Sequence, residues 1–269
     1  MENQIPQVQT PPTAPVAAPT PPIVEQQKPK FPTEFIDLPS KGLLYPEGHP
    51  LSDGKIEMKY MTAREEDILT NQNFIANGTV LDKLLQSLII TKVNYDDILI
   101  GDKNAIMIAS RILGYGKDYE FEYDGESQLV DLSLLENKEL DETLYTKGQN
   151  EFPFTLPHSG THLTFKLMDG ATEKQIDSEI KGLKKFNKFS SAELSTRLKH
   201  IILSINGDSN TKTIREFIDD YMLARDSRAL REHIKNIQPD INLETVVNIA
   251  GEEKEIEIPI GVNFFFPDF

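Results

Sequence analysis

The chain contains no cysteine and no tryptophan in 269 residues. Missing thiols exclude disulfides, thiolate nucleophiles and every cysteine-ligated zinc site in one step. Bases are also scarce, since 28 Lys and Arg face 43 Asp and Glu for a formal net charge of −15. A nucleic-acid surface needs clustered Lys and Arg to replace phosphate counterions, so this balance argues against one. The densest basic cluster, Lys181 to Phe189 ("KGLKKFNKF"), reads more simply as the cationic end of a helix. Long apolar runs are missing too: nothing approaches the ~18 residues of a membrane span. No basic start followed by an apolar block marks a secretory signal.

Proline is unevenly spread, with eight of the seventeen in the first 30 residues, where no aromatic occurs. Such a segment cannot offset its ordering entropy, so residues 1–30 are expected to form a disordered, partly polyproline-like tail. A recognition peptide for a proline-binding module is the alternative role. The tail balances Glu2 and Glu25 against Lys28 and Lys30, which leaves the whole acidic excess to residues 31–269.

Helix starts are legible where a Ser or Thr is followed three residues later by an acid or amide, because the pair can satisfy free backbone N–H groups reciprocally. Thr62 to Glu65, Thr172 to Gln175, Ser190 to Glu193 and Thr213 to Glu216 have this form. Apolar stripes follow. Leu81, Leu84, Leu85, Leu88 and Ile89 form one, and Ile106, Ile108, Ala109, Ile112 and Leu113 another before Gly114. Leu194, Leu198, Ile201, Ile202 and Ile205 predict a helix ending near Asn206-Gly207. Alternation around turn residues predicts hairpins at Tyr119–Leu132 (turn Asp124-Gly125), Phe152–Met168 (turn His158 to Gly160) and Val246–Ile260 (turn near Gly251). The first and third match in shape, with Gly125 falling on Gly251, Val130 on Ile256 and Leu132 on Ile258, so they could stack.

The expected layout is an α+β fold of two helical blocks with antiparallel β-hairpins, preceded by the disordered Pro-rich tail. Residues 31–146 hold the N-terminal strap, a helical block (about 62–114) and a hairpin, followed by a connecting helix (about 133–146). Residues 147–269 hold a hairpin, a second block (about 172–238) and a closing hairpin with an aromatic C-terminus. Two lobes would meet near 146–151, interlocked if the matching hairpins pair.

Chemistry leaves little trace. The pair in "HSGTH", His158 and His162, sits on a Gly-containing turn rather than one helical face, and no Glu follows the first His as in a metalloprotease motif. "GYGKDYE", Gly114 to Glu120, ends a helix instead of opening one, the reverse of a phosphate loop. "NGDSN", Asn206 to Asn210, lacks the spacing and closing Glu of a calcium loop. Adjacent acids such as Asp96-Asp97 and Asp219-Asp220 follow from composition and read as solvated faces. No catalytic, cofactor-binding or metal residue is assigned, and no cofactor is expected.

Two apolar features remain. "FIDLPSKGLLYPEGHPL", Phe35 to Leu51, is punctuated like a linker yet carries core residues, and reads as an ordered strap over the helical block. "IPIGVNFFFPDF" at the C-terminus concentrates Phe264, Phe265, Phe266 and Phe269, either as a final strand docked on the chain's own sheet or as an anchor for a neighbouring subunit.

The strap, "GKIEMKYMTAREEDIL" (Gly54 to Leu69), "GTVLDKLLQSLI" (Gly78 to Ile89) and the closing "IPIGVNFFFPDF" together resemble the baseplate hub protein and hub assembly protein family of T-even-like contractile-tailed phages. The likeness spans about residues 31–269 and is strongest over 35–90. Some members of that family carry cysteine pairs at the turns of the two matching hairpins, as a split zinc-ribbon would; "YDGE" (Tyr123 to Glu126) and "IAGE" (Ile249 to Glu252) have none. The resemblance implies a non-enzymatic structural or morphogenetic role in the host cytoplasm during assembly, with the tail baseplate as the destination of a chain that stays in the particle. Its partners would be other hub and tail proteins, with no nucleic acid, membrane or small-molecule substrate. Leu38, Leu44, Tyr45, Phe264, Phe265, Phe266 and Phe269 are then the candidate contact residues, and removal of Gly261 to Phe269 is expected to leave a folded chain that cannot assemble. The alternatives are a transient assembly chaperone absent from the virion and, from another class, a tail-associated cell-wall hydrolase.

Overall fold

In the computed structural model, which describes residues 32–186, 192–249 and 251–265, alternating apolar residues build small antiparallel sheets and 3.6-period stripes build the helices between them. Strands β1 (Thr33–Asp37) and β2 (Lys55–Lys59) form the first sheet. Helices α1 (Ala63–Leu69), α2 (Gln72–Ala76), α3 (Val80–Leu88) and α4 (Ile100–Tyr115) follow, then the hairpin of β3 (Asp118–Tyr123) and β4 (Glu126–Asp131). The chain continues through β5 (Phe152–Thr155), β6 (His162–Phe165), α5 (Gly170–Phe186), α6 (Glu193–Ile201) and β7 (Ile202–Ile205), which joins the sheet as β5-β6-β7. Helix α7 (Thr211–Glu216) runs into a π-helical turn at Phe217–Tyr221 before α8 (Ala224–Ile237) and the closing hairpin of β8 (Glu244–Ile249) and β9 (Glu252–Glu257). The fold is α+β, as the pattern of the sequence predicts. Residues from Pro32 onward cluster as one compact unit, with no division near 146–151.

The two halves repeat one plan. Ile36 pairs with Ile56 and Glu34 with Met58 in the first sheet; Phe154 pairs with Leu163 and Phe152 with Phe165 in the second. Leu38 N–H closes the first loop on Gly54 O at 2.8 Å, and Leu156 N–H closes the second on Thr161 O at 2.9 Å. The residue after α3, Ile89, bridges Met58, and the residue after α6, Ile202, pairs with Phe165. Buried Leu85 and Leu88 on α3 correspond to Leu198 and Ile201 on α6. The two hairpins predicted to match share the same six-pair register, Tyr123 with Glu126 in one and Ile249 with Glu252 in the other. They lie against each other, with Gln128 Nε2 donating to Asn248 O at 3.4 Å and Lys254 3.6 Å from Asp124. Tyr119, Phe121, Val247, Ile249 and Ile256 are buried there.

The halves interlock. Ile100 N–H donates to Met168 O and Gly170 N–H to Ile98 O, so the start of α4 is tied to the start of α5. Gly101 lies so close to Pro239 that any Cβ would fall 1.7 Å from its carbonyl oxygen.

Several expected elements differ. No helix spans 133–146; two 3-10 turns, Leu132–Leu134 and Glu142–Leu144, stand there, each capped by an aspartate (Asp131, Asp141) that offers its side chain to the backbone in place of a continuing helix. The stripe through Leu194 to Ile205 is split, because Ile202 and Ile205 leave the helix to pair with β6, where these two β-branched residues fit the pleat. Thr213 lies inside α7, which Asn210 caps by accepting from Lys212 N–H. Asp169, not Thr172, caps α5, accepting from Thr172 N–H at 2.7 Å. Ser190 and Ser191 lie outside the described residues, as does the 1–30 tail. Gly114 sits within α4 against Met61, and Gly116 at φ +87° ends the helix. The Thr62–Glu65 box does form, with Thr62 N–H donating to Glu65 at 3.0 Å.

Candidate functional site

The feature that breaks the repeat is the connection between the paired strands, which runs over 38–54 in the first half and only 156–161 in the second. The longer loop is the strap. It folds as a chain of turns, Lys41 N–H to Leu38 O, Tyr45 N–H to Gly42 O and His49 N–H to Pro46 O among them. Its ends pinch at Gly42 (φ +76°) and Gly54 (φ +70°), where a Cβ on Gly42 would meet Ser52 O at 2.3 Å.

Beneath the strap, Asp102 in the first turn of α4 is wholly buried. Its carboxylate accepts from Ser40 N–H at 2.9 Å, Ser40 Oγ at 2.7 Å and Tyr45 Oη at 2.7 Å. Tyr45 Oη in turn accepts from Leu99 N–H at 3.0 Å. Burial raises the Asp102 carboxyl above the usual range, against the pull of these donors, and burial beside Asp102 raises the Tyr45 phenol. The second half repeats the device: Asp226, also wholly buried in the first turn of α8, accepts from His158 N–H at 2.8 Å and Ser159 N–H at 3.0 Å. Burial opposes ionisation there too, but the backbone donors together with the Ser159 side chain outweigh it and the carboxyl is lowered. The Leu-Pro dipeptides at 38–39 and 156–157 mark the corresponding turns.

Above this lock the strap walls a cavity of about 320 Å³. Leu44, Pro46 and Leu99 supply apolar surface. Tyr45 and His49 stack, ring centroids 4.8 Å apart and planes 7° apart. Gly148 and Asn150 close the far side; Gly148 N–H donates to Leu43 O at 2.7 Å, and Asn150 holds both Leu167 O and Leu167 N–H at 2.8 Å. The charged lining is Asp97 and Asp169. Asp97 accepts from Asn94 Nδ2 at 2.9 Å and has its other oxygen 4.0 Å from His49 Nε2. Asp169 caps α5 with one oxygen and has the other 3.9 Å from Lys166.

The described candidate contact residues are buried. Leu38, Leu44 and Tyr45 are buried, and only Leu44 and Tyr45 show an edge to the cavity. Phe264 and Phe265 are buried in the chain's own core, in a 3-10 turn rather than a strand. Tyr119 meets Phe264 edge-on at 4.7 Å, and Arg111 Nε donates to Phe264 O at 2.9 Å. Leu38, Phe264 and Phe265 thus pack inside the chain, whereas Leu44 and Tyr45 keep an edge on the cavity. Phe266 and Phe269 lie outside the described residues. Asp102, Asp226 and Asp169 were not singled out from the sequence, and Asp97 was read as part of a solvated face where it lines the cavity; the available signal for the buried pair was an Asp in the first turn of each helix that precedes a matching hairpin.

Elsewhere, Glu65 is buried and accepts from Lys59, Thr62 and Ser87. Burial works against the charge, yet these donors lower its pKa to about 2. Glu179, gripped by both Arg215 guanidinium nitrogens and by His200 Nε2, is likewise lowered to about 2. Both carboxylates tie elements together. Among the described residues no group of three or more His, Cys, Asp or Glu is placed to hold a metal, and no helix is long and apolar enough to cross a membrane. No protein-family model, no curated protein and no solved structure matches the chain.

Proposed function

We propose that this chain is a structural or morphogenetic component of a phage tail baseplate hub and acts through protein–protein contacts. The motif resemblance supplies the baseplate context. The observation carrying the contact role is the strap itself, a long, internally locked loop that only one of two otherwise matching halves possesses. A loop held at both ends by glycine pinches and underneath by a buried carboxylate presents a fixed outer surface, which suits recognition of another rigid protein. The acids that face the cavity are engaged in capping and turn bonds, and about 320 Å³ lies at the small end of ligand sites (roughly 300–1,000 Å³) rather than forming a groove for a polymer.

The test is co-purification of a tagged chain from infected cells together with mass spectrometry of purified particles. Recovery of hub proteins with the chain, and its presence in particles, supports the structural role. Recovery with hub proteins but absence from particles shifts the role to a transient assembly chaperone. Failure to recover any tail protein removes the baseplate reading.

A further inference from the structure

We infer that the cavity under the strap is a socket for a single arginine side chain of a partner protein. The inference rests on the reading that the chain works through protein contacts and adds the chemistry of one such contact. Asp97 and Asp169 face the same cavity, and each has one oxygen engaged by a neutral N–H donor while, among the described residues, the other has only a long contact to a basic group, 4.0 Å to His49 and 3.9 Å to Lys166. Two carboxylate oxygens short of close cationic partners on one cavity suit a guanidinium, whose planar fork carries five N–H donors. The apolar wall of Leu44, Pro46 and Leu99 can cover an aliphatic stem. The His49 ring, already stacked on Tyr45, offers a flat face that a planar guanidinium can extend and a compact ammonium cannot.

Charge complementarity points the same way, since a chain of net charge −15 attracts basic partners at long range. The internal repeat supplies an independent argument. Where the second half closes its strand connection over 156–161 and holds its buried aspartate with the His158 and Ser159 backbone and the Ser159 side chain, the first half adds Tyr45 and His49, residues that both line the cavity. The extra chain length is thus used to make a concave site.

The probe is capped arginine (N-acetyl-arginine N-methylamide) titrated into the isolated full chain, with backbone amide resonances as the readout. Saturable shifts centred on Leu44, Gly148 and Asn150 are expected, weakening in high salt. Capped norleucine and capped glutamate should not saturate. Asp97→Asn with Asp169→Asn should weaken arginine binding about tenfold, the scale of a lost charge-assisted bond. Asn still caps a helix, so α5 is retained and the variant's unperturbed amide spectrum checks folding. The inference is overturned if arginine does not saturate the site, if its shifts lie elsewhere, if capped lysine binds as tightly, or if the double variant binds like the parent. Arginine binding by the isolated chain with no tail protein recovered from infected cells would remove the baseplate reading alone; recovery of hub proteins without arginine binding would remove the socket alone.

Discussion

Two aspartates at corresponding places show how far a local environment can move one chemical group. Asp102 and Asp226 both sit in the first turn of a helix and both anchor a Leu-Pro turn, yet burial raises one carboxyl while donors from His158 and Ser159 lower the other. Asp102→Asn should cost about 1–3 kcal/mol in denaturant unfolding, because Tyr45 Oη already accepts from Leu99 N–H and its proton would lose its acceptor. Glu65 and Glu179 set the acid response. Their folded pKa values, about 2, lie below the ordinary 4.5, so the stability they contribute is present above 4.5 and is lost as pH falls from there toward 2. Asp102 has the opposite sign, and its contribution is lost as pH rises through its raised folded value. Unfolding measured between pH 6 and 3 (roughly the span in which carboxylates take up protons) should show falling stability, with a shallower slope in Glu65→Gln.

At the scale of elements, Phe264 and Phe265 belong to the core. Phe264→Ala should cost about 3–5 kcal/mol, the range for a buried Phe, and removal of Gly261 to Phe269 should unfold the chain rather than leave it folded but unable to assemble. Thermal or denaturant melts decide between the two. The hairpins, α3 and the Thr62 box were legible because each is specified by nearby residues: turn glycines, a capping pair, a stripe of leucines. The end of α6 was not legible, because Ile202 and Ile205 satisfy a helical stripe and a strand equally well and only the partner strand β6 decides. The 133–146 segment misled through its helix-favouring composition, which Asp131 and Asp141 override by capping single turns. The cavity was invisible for a simpler reason: Pro46, Asp97, Asn150 and Asp169 are scattered in sequence and meet only once α4 and α5 are tied end to end.

Over the whole molecule, the acidic excess collects on the outer faces of the two stacked hairpins. Asp118 faces Asp131 and Glu244 faces Glu257, like charges directly opposite at corresponding positions. Lys117 relieves the first pair by bonding Asp131 at 2.6 Å; among the described residues no base meets the second. Glu257→Lys should therefore stabilise the chain by about 0.2–1 kcal/mol at low salt and by less in high salt, read from denaturant midpoints.

The strap is present in one half only, and this limits valency. A body built on a doubled plan would ordinarily offer two like sites, but the 156–161 connection is too short to repeat the strap's turns. On the socket proposal the chain would be monovalent toward an arginine-bearing partner, and the titration should saturate at one equivalent. In an assembly with rotational symmetry such a molecule caps or bridges one neighbour at a time, with its orientation set by which half faces the partner.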